Sequence, residues 1–587
     1  MDLKQINMES INYLLLLIVL NSHASQFDLD RIKVLEAHKN KGVSNFVTVG
    51  NDVSCDYQIG TDTLQDAVNS GEPEIRLAVN ATYSGISIAT DLILIGGYAN
   101  CTDATNNILS TTKSEMNYPI NPIGVHIITS SIQVIIKNLT IKGFANGISS
   151  TMNNVELSIY DSLIELNSAL EGAGIYLNAV GNTFLENVII QQNYASQRGG
   201  AIYCKDHSIT IVGKSNIRIN YSPTEAGGIY AENCNVLIVG GNNPAFGIMN
   251  NATNGNGGGI YLKSNSTLEI TGGLRTINSI TYGDLSTPYS IKNNYNQNTN
   301  SAAGGGIYSN HSTVILENIV LDNNSAVHNG GAISAQNFSN ITLTRSSESC
   351  WSSQSCNVIS NNTAGVVGGA FQFTSSSQGY IQATTFKNNR ADTATVLNVG
   401  TAGGNVRIDT SYIYANGNFG VGGFNDTDVI RNNSSNFQLY HTTLVANKSV
   451  SNVIHMTDGT LELKNSIIYN AAMNVPFLTV DNGTTDNSCI LADDTNNSTT
   501  GIVTAINASD FNTLFVDTAN GDYHLSLNSI ALDNCNTLNV SPALSKDTDN
   551  ENFGFDDPNN LGINFNDSGA DESYLGDIIF KNDFEVS

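Results

Sequence analysis

Short runs in which apolar and polar residues alternate over four to six positions recur along most of the chain. Turns rich in Gly and Asn separate them. Asn187-Val188-Ile189-Ile190, Ser208-Ile209-Thr210-Ile211-Val212, Thr313-Val314-Ile315-Leu316 and Asn340-Ile341-Thr342-Leu343 are typical. Period-two alternation with this punctuation predicts short strands and tight turns, with no helical period. The exception lies near the N-terminus. There Thr61-Asp62-Thr63 precedes Leu64-Gln65-Asp66-Ala67-Val68-Asn69 and predicts a capped helix that ends at Gly71.

The strands repeat. A Gly-Gly-x-Ile-Tyr motif occurs around Ile175-Tyr176, Ile202-Tyr203, Ile229-Tyr230, Ile260-Tyr261 and Ile307-Tyr308, and in shorter form at Gly330-Gly331-Ala332-Ile333 and Gly368-Gly369-Ala370-Phe371. Successive apolar positions are 27, 27, 31, 47, 26 and 38 residues apart. The short spacings fit one coil of a solenoid, and the longer ones fit one coil plus a loop, or two coils. Turns such as Asn193-Tyr194-Ala195, Asn250-Asn251-Ala252, Asn323-Asn324-Ser325, Asn361-Asn362-Thr363 and Asn388-Asn389-Arg390 lie between the strands. In a parallel β-helix each strand pairs with its equivalent one coil above and below, about 4.8 Å away, so equivalent side chains stack. Ile175, Ile202, Ile229, Ile260, Ile307 and Ile333 then form an inward column, and the following Tyr points out. Gly pairs suit tight bends, Asn tolerates left-handed backbone, and an Asn amide can hydrogen-bond the next Asn along the stack. Neither a leucine-rich repeat nor a propeller period is present.

The fold expected is all-β: a single right-handed parallel β-helix with an N-terminal helical cap and an irregular acidic C-terminal tail. At roughly 25 residues per coil, the stretch from Ile75 to Leu544 gives on the order of 18 coils and a rod of roughly 90 Å. The 587 residues are thereby accommodated without several globular domains, since each coil needs only its neighbours. Only 13% of residues are charged and 40% are hydrophobic, which is the wrong balance for disorder. A formal net charge of −27 excludes phosphate backbones and anionic membrane surfaces as partners and favours solubility.

Lys4, the apolar run from Ile11 to Leu20 and the small residues around Ser22-His23-Ala24 read as a secretory signal over residues 1–24, too short to span a bilayer. The alternative is a buried strand or short helix. The remaining layout is an N-terminal segment and cap over 25–74, the β-helix over 75–545 and an acidic tail over 546–587. Eight cysteines suit an oxidising compartment. Sequence does not fix their pairing, but neighbourhood favours Cys55–Cys101, Cys204–Cys234, Cys350–Cys356 and Cys489–Cys535.

Val47-Thr48-Val49-Gly50-Asn51-Asp52, Cys55-Asp56-Tyr57, Leu64–Val68 and Leu94-Ile95-Gly96-Gly97-Tyr98-Ala99-Asn100-Cys101 together resemble the cap and first coils of bacterial secreted right-handed parallel β-helix repeat proteins. The Gly-Gly-Ala-Ile repeats also resemble the polymorphic outer-membrane protein family. Leu514-Phe515-Val516-Asp517 through Asp522-Tyr523-His524-Leu525 resembles a last coil of the bacterial group, and Gly569-Ala570-Asp571-Glu572 with Ile579–Glu585 its closing tail. The Arg-Pro usual between positions matching Asp547 and Phe555 is absent. No alternating strands of an autotransporter barrel are expected at the C-terminus. The resemblance implies a location outside the cell or on the outer surface of a bacterium. It carries structural motifs and no catalytic ones.

The candidate chemistry is sparse. Parallel β-helices include polysaccharide lyases and glycoside hydrolases, so the enzyme alternative is a lyase or hydrolase acting on an extended polymer. The acidic residues between Ser150 and Asn447 are scattered and form no catalytic signature, so no catalytic residue is assigned. Aligning successive coils sets Lys205 over Glu232 and His207 over Cys234, readable as an acid–base pair or as a solvated charge pair beside a disulfide. The outward tyrosines Tyr176, Tyr203, Tyr230, Tyr261 and Tyr308 are the candidate ligand contacts, through stacking on sugar rings. The alternative for them is a structural ladder. Asp547, Asp549 and Glu551 alternate like calcium-loop ligands, although Gly554 is late and no Glu stands at the twelfth position. No other cofactor is implied. Asn-x-Ser/Thr triplets starting at Asn138, Asn251 and Asn265 count only where the source glycosylates them. The function expected is that of a monomeric secreted or cell-surface protein with a structural or adhesive role, which holds a polysaccharide or surface protein along a rigid face.

Overall fold

A computed structural model describes residues 45–571 apart from 118–121, 241–245, 278, 284–286, 298–300, 346–349, 351–354, 471–474, 493–502, 507, 527–528, 533–534, 536–545 and 549–566. The expected signal segment 1–24 and most of the acidic tail lie outside the described residues. The chain forms the expected all-β parallel solenoid, with about 15 coils. Parallel pairing begins with Phe46–Gly50 and ends with Val503–Ala505. The coil number is below the 18 expected because several inter-strand segments are insertions that add length without a coil. The 47-residue gap between Ile260 and Ile307 is one coil, since the two residues pair directly. Its excess includes an antiparallel hairpin, Arg275–Ile277 with Ile280–Tyr282, folded over the outward side chains Phe184, Val212 and Val239.

A typical coil carries three principal strands, and eight of the coils add a short fourth one. Ile202–Lys205, Ser208–Val212 and Asn216–Arg218 lie on three faces, each paired with its equivalents in the coils before and after. A fourth, eight-stranded sheet runs from Ser168–Glu171 to Arg390–Thr393. Alternation in the sequence becomes alternation of burial. Ile175, Ile202, Ile229, Ile260, Ile307 and Ile333 are all fully buried in one continuous core. The cap is helix α1, Leu64–Asn69, whose Leu64, Ala67 and Val68 join that core. Thr63 and Asp66 close its first turn reciprocally: the Thr63 Oγ1 accepts from the Asp66 N–H at 3.2 Å, and the Asp66 carboxylate accepts from the Thr63 N–H at 2.8 Å.

Two devices set the corner that leads into the motif strand. Beyond the third face the chain takes one residue in left-handed conformation and then one buried Asn. The pairs are Leu166-Asn167, Gln192-Asn193, Ile219-Asn220, Asn250-Asn251, Asn293-Asn294, Asn323-Asn324, Asn361-Asn362, Asn388-Asn389, Ala415-Asn416 and Ala446-Asn447. All ten second residues are at most 2% exposed. From Asn167 to Asn416, each Nδ2 donates to the Oδ1 of the next at 3.0–3.1 Å, and that oxygen also accepts the preceding Asn's backbone N–H. The other Nδ2 hydrogen serves a carbonyl of the coil before, as Asn324 does for Ile291 at 2.9 Å. The second device is the Gly pair. Gly199 has φ +62°, and a Cβ on Gly200 would lie 2.4 Å from the Gly227 carbonyl oxygen of the next coil.

Past Ala505 the chain stops coiling. Helix Ala508–Leu514 and an antiparallel pair, Phe515–Asp517 with Asp522–Leu525, pack on outward side chains of the last coils, among them Tyr412, Tyr414, Ile467, Tyr469 and Leu491. The Leu514–Leu525 stretch is therefore a hairpin laid on the outside rather than a last coil, because its Thr518–Gly521 turn brings its own two strands together. Phe511 stacks on Tyr469 with centroids 4.1 Å apart. Gly569 donates its N–H to the Asn465 carbonyl at 2.8 Å, and Ala570 its own to the Thr443 hydroxyl at 3.1 Å. All four disulfides form as neighbourhood favoured: Cys55–Cys101, Cys204–Cys234, Cys350–Cys356 and Cys489–Cys535, the last tying this outer layer to the final coils.

The corner separates two requirements that substitution can test. Replacing Asn324 by Ala removes the acceptor for two donors on Asn294 and the donor to Ile291, and should cost about 2–4 kcal/mol in urea unfolding. Ile219 is β-branched and half exposed at φ +57°. Ile219→Asn should stabilise by about 1 kcal/mol. A neutral result for the first, or a loss for the second, would contradict this division of labour.

Candidate functional site

The motif strand projects its tyrosines away from the coil interior, where they form one column. Centroids of Tyr176, Tyr203, Tyr230, Tyr261 and Tyr308 follow one another at 5.1, 5.3, 5.2 and 4.9 Å, with interplanar angles of 8–26°. The register of the parallel strands dictates this, since each Tyr pairs with the next. Four of the rings are buried, and Tyr176, at the end of the column, is half-buried. Gly bends, Ala226, Ala303 and the Arg198 guanidinium 5.3 Å from the Tyr230 centroid surround them. Burial pushes the hydroxyls of Tyr203, Tyr230 and Tyr261 well above the usual phenol range, and that of Tyr308 up to about 12. The inner rings spend their faces on one another, so sugar stacking on them requires opening the column.

Beside the tyrosines the charges alternate. Lys205, Glu232 and Lys263 occupy one outward row, with both ammonium groups 4.0 Å from the Glu232 carboxylate. Lys205 does sit over Glu232, as a partly exposed ion-pair row. His207 belongs to a different environment. Its Nδ1 lies 2.8 Å from the Ala179 carbonyl and its Nε2 3.0 Å from the Thr183 hydroxyl, and the residue is 5% exposed. Burial pulls its pKa down to about 4, with the Ala179 carbonyl opposing in part. It is a neutral structural side chain that ties its coil to the one before. It lies in the wall of a shallow polar groove of roughly 670 Å³ that also includes Asn153, Asn178, Asn182, Asp206 and Asn233. Several of these groups already pair: Asn182 donates to Glu156 at 2.7 Å and Asn233 to Asp206 at 2.6 Å.

Of the calcium candidates, Asp549 and Glu551 lie outside the described residues, and Asp547 is buried. Among the described residues, one group of three ligand types converges closely: Asp52, Cys55 and Cys101. Its two sulfurs are joined in a disulfide, and the Asp52 carboxylate accepts from Asn80 at 2.8 Å.

Three tyrosines outside the Ile-Tyr motif stand on the small fourth sheet. Tyr194, Tyr221 and Tyr295 each follow a ladder asparagine and point outward. Tyr194 and Tyr295 are 42% and 38% exposed, and Tyr221 is half-buried. The Asn-Tyr dipeptides at 193–194, 220–221 and 294–295 were the available signal. They were overshadowed by the stronger Ile-Tyr repeat. On the same sheet Arg198 is held between Glu171 at 3.4 Å and Glu225 at 3.1 Å.

The fold and these surfaces define a parallel β-helix scaffold whose long flanks are built from stacked repeats. Residues 187–205 and 318–336 match the Chlamydia polymorphic membrane protein repeat. Each matched segment contains a third-face strand, the left-handed residue, a ladder asparagine (Asn193 or Asn324), the short strand and the Gly-Gly-Ala-Ile strand. The chain is thus a polymorphic-membrane-protein-like β-helix repeat protein, and that likeness with four disulfides is compatible with a surface or extracellular protein. Among curated proteins none matches this chain. Among the described residues no helix is long and apolar enough to cross a membrane.

His207 gives the scaffold a pH dependence with a definite sign. Its folded-state pKa lies below the ordinary value of 6.5, so the folded chain binds fewer protons than the unfolded chain between those values. Stability is then full above about pH 6.5 and falls as pH drops towards 4, by an amount on the order of 3 kcal/mol. Buried His441, pulled down to about 3, acts in the same direction. Urea unfolding across this range should show the slope, and His207→Gln should flatten it. An unchanged slope would remove His207 as its source.

Proposed function

We propose that the protein is exported by its N-terminal segment and acts at the cell surface or outside it as a rigid adhesive scaffold for a glycan or protein partner. The observation that carries this is the parallel stack of about 15 coils, ten of them tied by the asparagine ladder and five sharing the tyrosine column. A long stiff flank offers repeated contacts in fixed register, and repeated contacts add avidity without a deep pocket. In this reading the tyrosine column contributes chiefly rigidity. Tyr176, its half-buried end, is the member open to a partner.

Purified protein should be retained on immobilised surface glycans or cell-surface proteins, and should release neither unsaturated products nor new reducing ends from pectate, alginate or neutral β-glucan. Product release would make it a polymer-cleaving enzyme instead. The double variant Tyr203→Ala/Tyr230→Ala should lower retention severalfold by loosening the flank. Unchanged retention would remove the column from the binding role.

A further inference from the structure

The outward column of the fourth sheet holds Ser168, Tyr194, Tyr221, Ala252, Tyr295, Ser325, Thr363 and Arg390 in register. Ser, Ala, Thr and Arg occupy this position in other coils, so nothing in the coil requires an aromatic ring there. The three tyrosines are nevertheless grouped within three coil steps, about 14 Å of rod. The Tyr194 and Tyr221 rings lie 5.7 Å apart and are tilted by 32°, and both residues are incompletely buried. They therefore keep ring surface open, in contrast to the sealed Ile-Tyr column. Leu166 and Ile219, 54% and 50% exposed, stand two residues ahead of the same column and widen the apolar strip. Apolar surface gathered in this way on an otherwise polar sheet marks an interaction site.

The surroundings select the ligand. At one edge the Tyr221 hydroxyl donates to the Asn254 side-chain Oδ1 at 3.3 Å, which places a hydroxyl and an amide beside the rings. Beside them Arg198 is held by the carboxylates of Glu171 and Glu225. The adjoining outward row carries Glu165, Gln191, Arg218, Met249 and Lys292 in successive coils, with Gln191 donating to Glu165 at 2.7 Å and Arg218 to Gln191 at 2.9 Å. The strip is thus aromatic with carboxylates and cations balanced along its edges, on a chain of formal net charge −27. Uronate polymers, sulfated glycans and nucleic acids are repelled by the charge of the whole chain and meet no excess of cations at the strip, whereas an uncharged sugar chain carries no such penalty. Pyranose rings have an apolar C–H face to lay on tyrosine and hydroxyls to meet the polar edge.

We propose that Tyr194, Tyr221 and Tyr295 form a binding strip for a neutral glycan lying along the β-helix axis. The proposal rests on the adhesive reading above and narrows it to one flank and one class of ligand. Affinity electrophoresis of the full chain tests it, with hydroxyethylcellulose, arabinoxylan and glucomannan as neutral polymers and alginate and polygalacturonate as anionic ones. Migration should be retarded by at least one neutral polymer and by neither anionic one. Tyr194→Ala/Tyr221→Ala should weaken binding at least tenfold with an unchanged melting temperature, and Tyr194→Phe/Tyr221→Phe should stay within threefold of the parent. Tyr295→Ser, which installs the residue the next coil carries at this position, guards against a folding artefact and should weaken binding at least threefold. Absence of retardation in all three neutral polymers, preference for an anionic one, or binding unaffected by these substitutions would overturn the strip. Glycan or cell-surface binding that survives all of them would leave the adhesive role standing, whereas loss of both roles requires that no surface ligand binds.

Discussion

Ten asparagine side chains, one per coil from Asn167 to Asn447, form a continuous hydrogen-bonded ladder through the interior of one corner. Each of the inner eight amides is fully engaged. Its oxygen accepts two N–H groups from the preceding coil's Asn, and its two N–H groups reach the next Asn and a carbonyl of the preceding coil. Three coils are joined through one side chain. Buried amides are costly when unpaired, so a coil that slipped by one residue would leave several donors and acceptors unmet at once. Hydrophobic stacking alone would tolerate such a slip more readily, because burial has no direction.

The ladder also accounts for where the chain can vary. Sequence separation between consecutive rungs ranges from 26 to 43 residues. Yet each ladder Asn comes two residues after its third-face strand, with one left-handed residue between. Insertions fall elsewhere, as in the hairpin after Thr271 and the Cys350–Cys356 loop after Thr344. Lengthening those connections costs little loop entropy, while lengthening the ladder corner would break the network. The left-handed residue is freer than the rung: Leu, Gln, Ile and Ala serve where Asn does not. The buried rung at Asn251 also opens an Asn-x-Thr triplet, so that triplet is structural in the folded chain.

Two kinds of tyrosine show how one residue type divides between scaffold and surface. After the inward Ile, Tyr lands in a column closed by Gly bends and by its own neighbours, and it seals the flank. After the ladder Asn, Tyr lands on a narrow sheet where small residues serve equally well in other coils, and it stays open. Both columns repeat at coil spacing, so periodicity does not distinguish them. The surroundings of the rings do.

Period-two alternation, Gly-Gly punctuation and the inward Ile column established the solenoid, its cap at Thr63–Asn69 and the sharing of one core by all coils. These are local properties repeated often enough to add. Disulfide partners followed from the same logic, because cysteines near in coil coordinate are near in space. The tertiary structure alone decided burial and closure. His207, placed beside a charged residue in sequence, proved to be a buried tie between Ala179 and Thr183, since its neighbours come from the coil before. The outward aromatic residues near Tyr412 and Tyr469 are covered because the chain turns back over them after Ala505. That reversal joins residues far apart in the chain, and no repeat records it. A repeating pattern specifies what each coil does to the next, whereas the groups left in contact with water depend on everything packed around the stack.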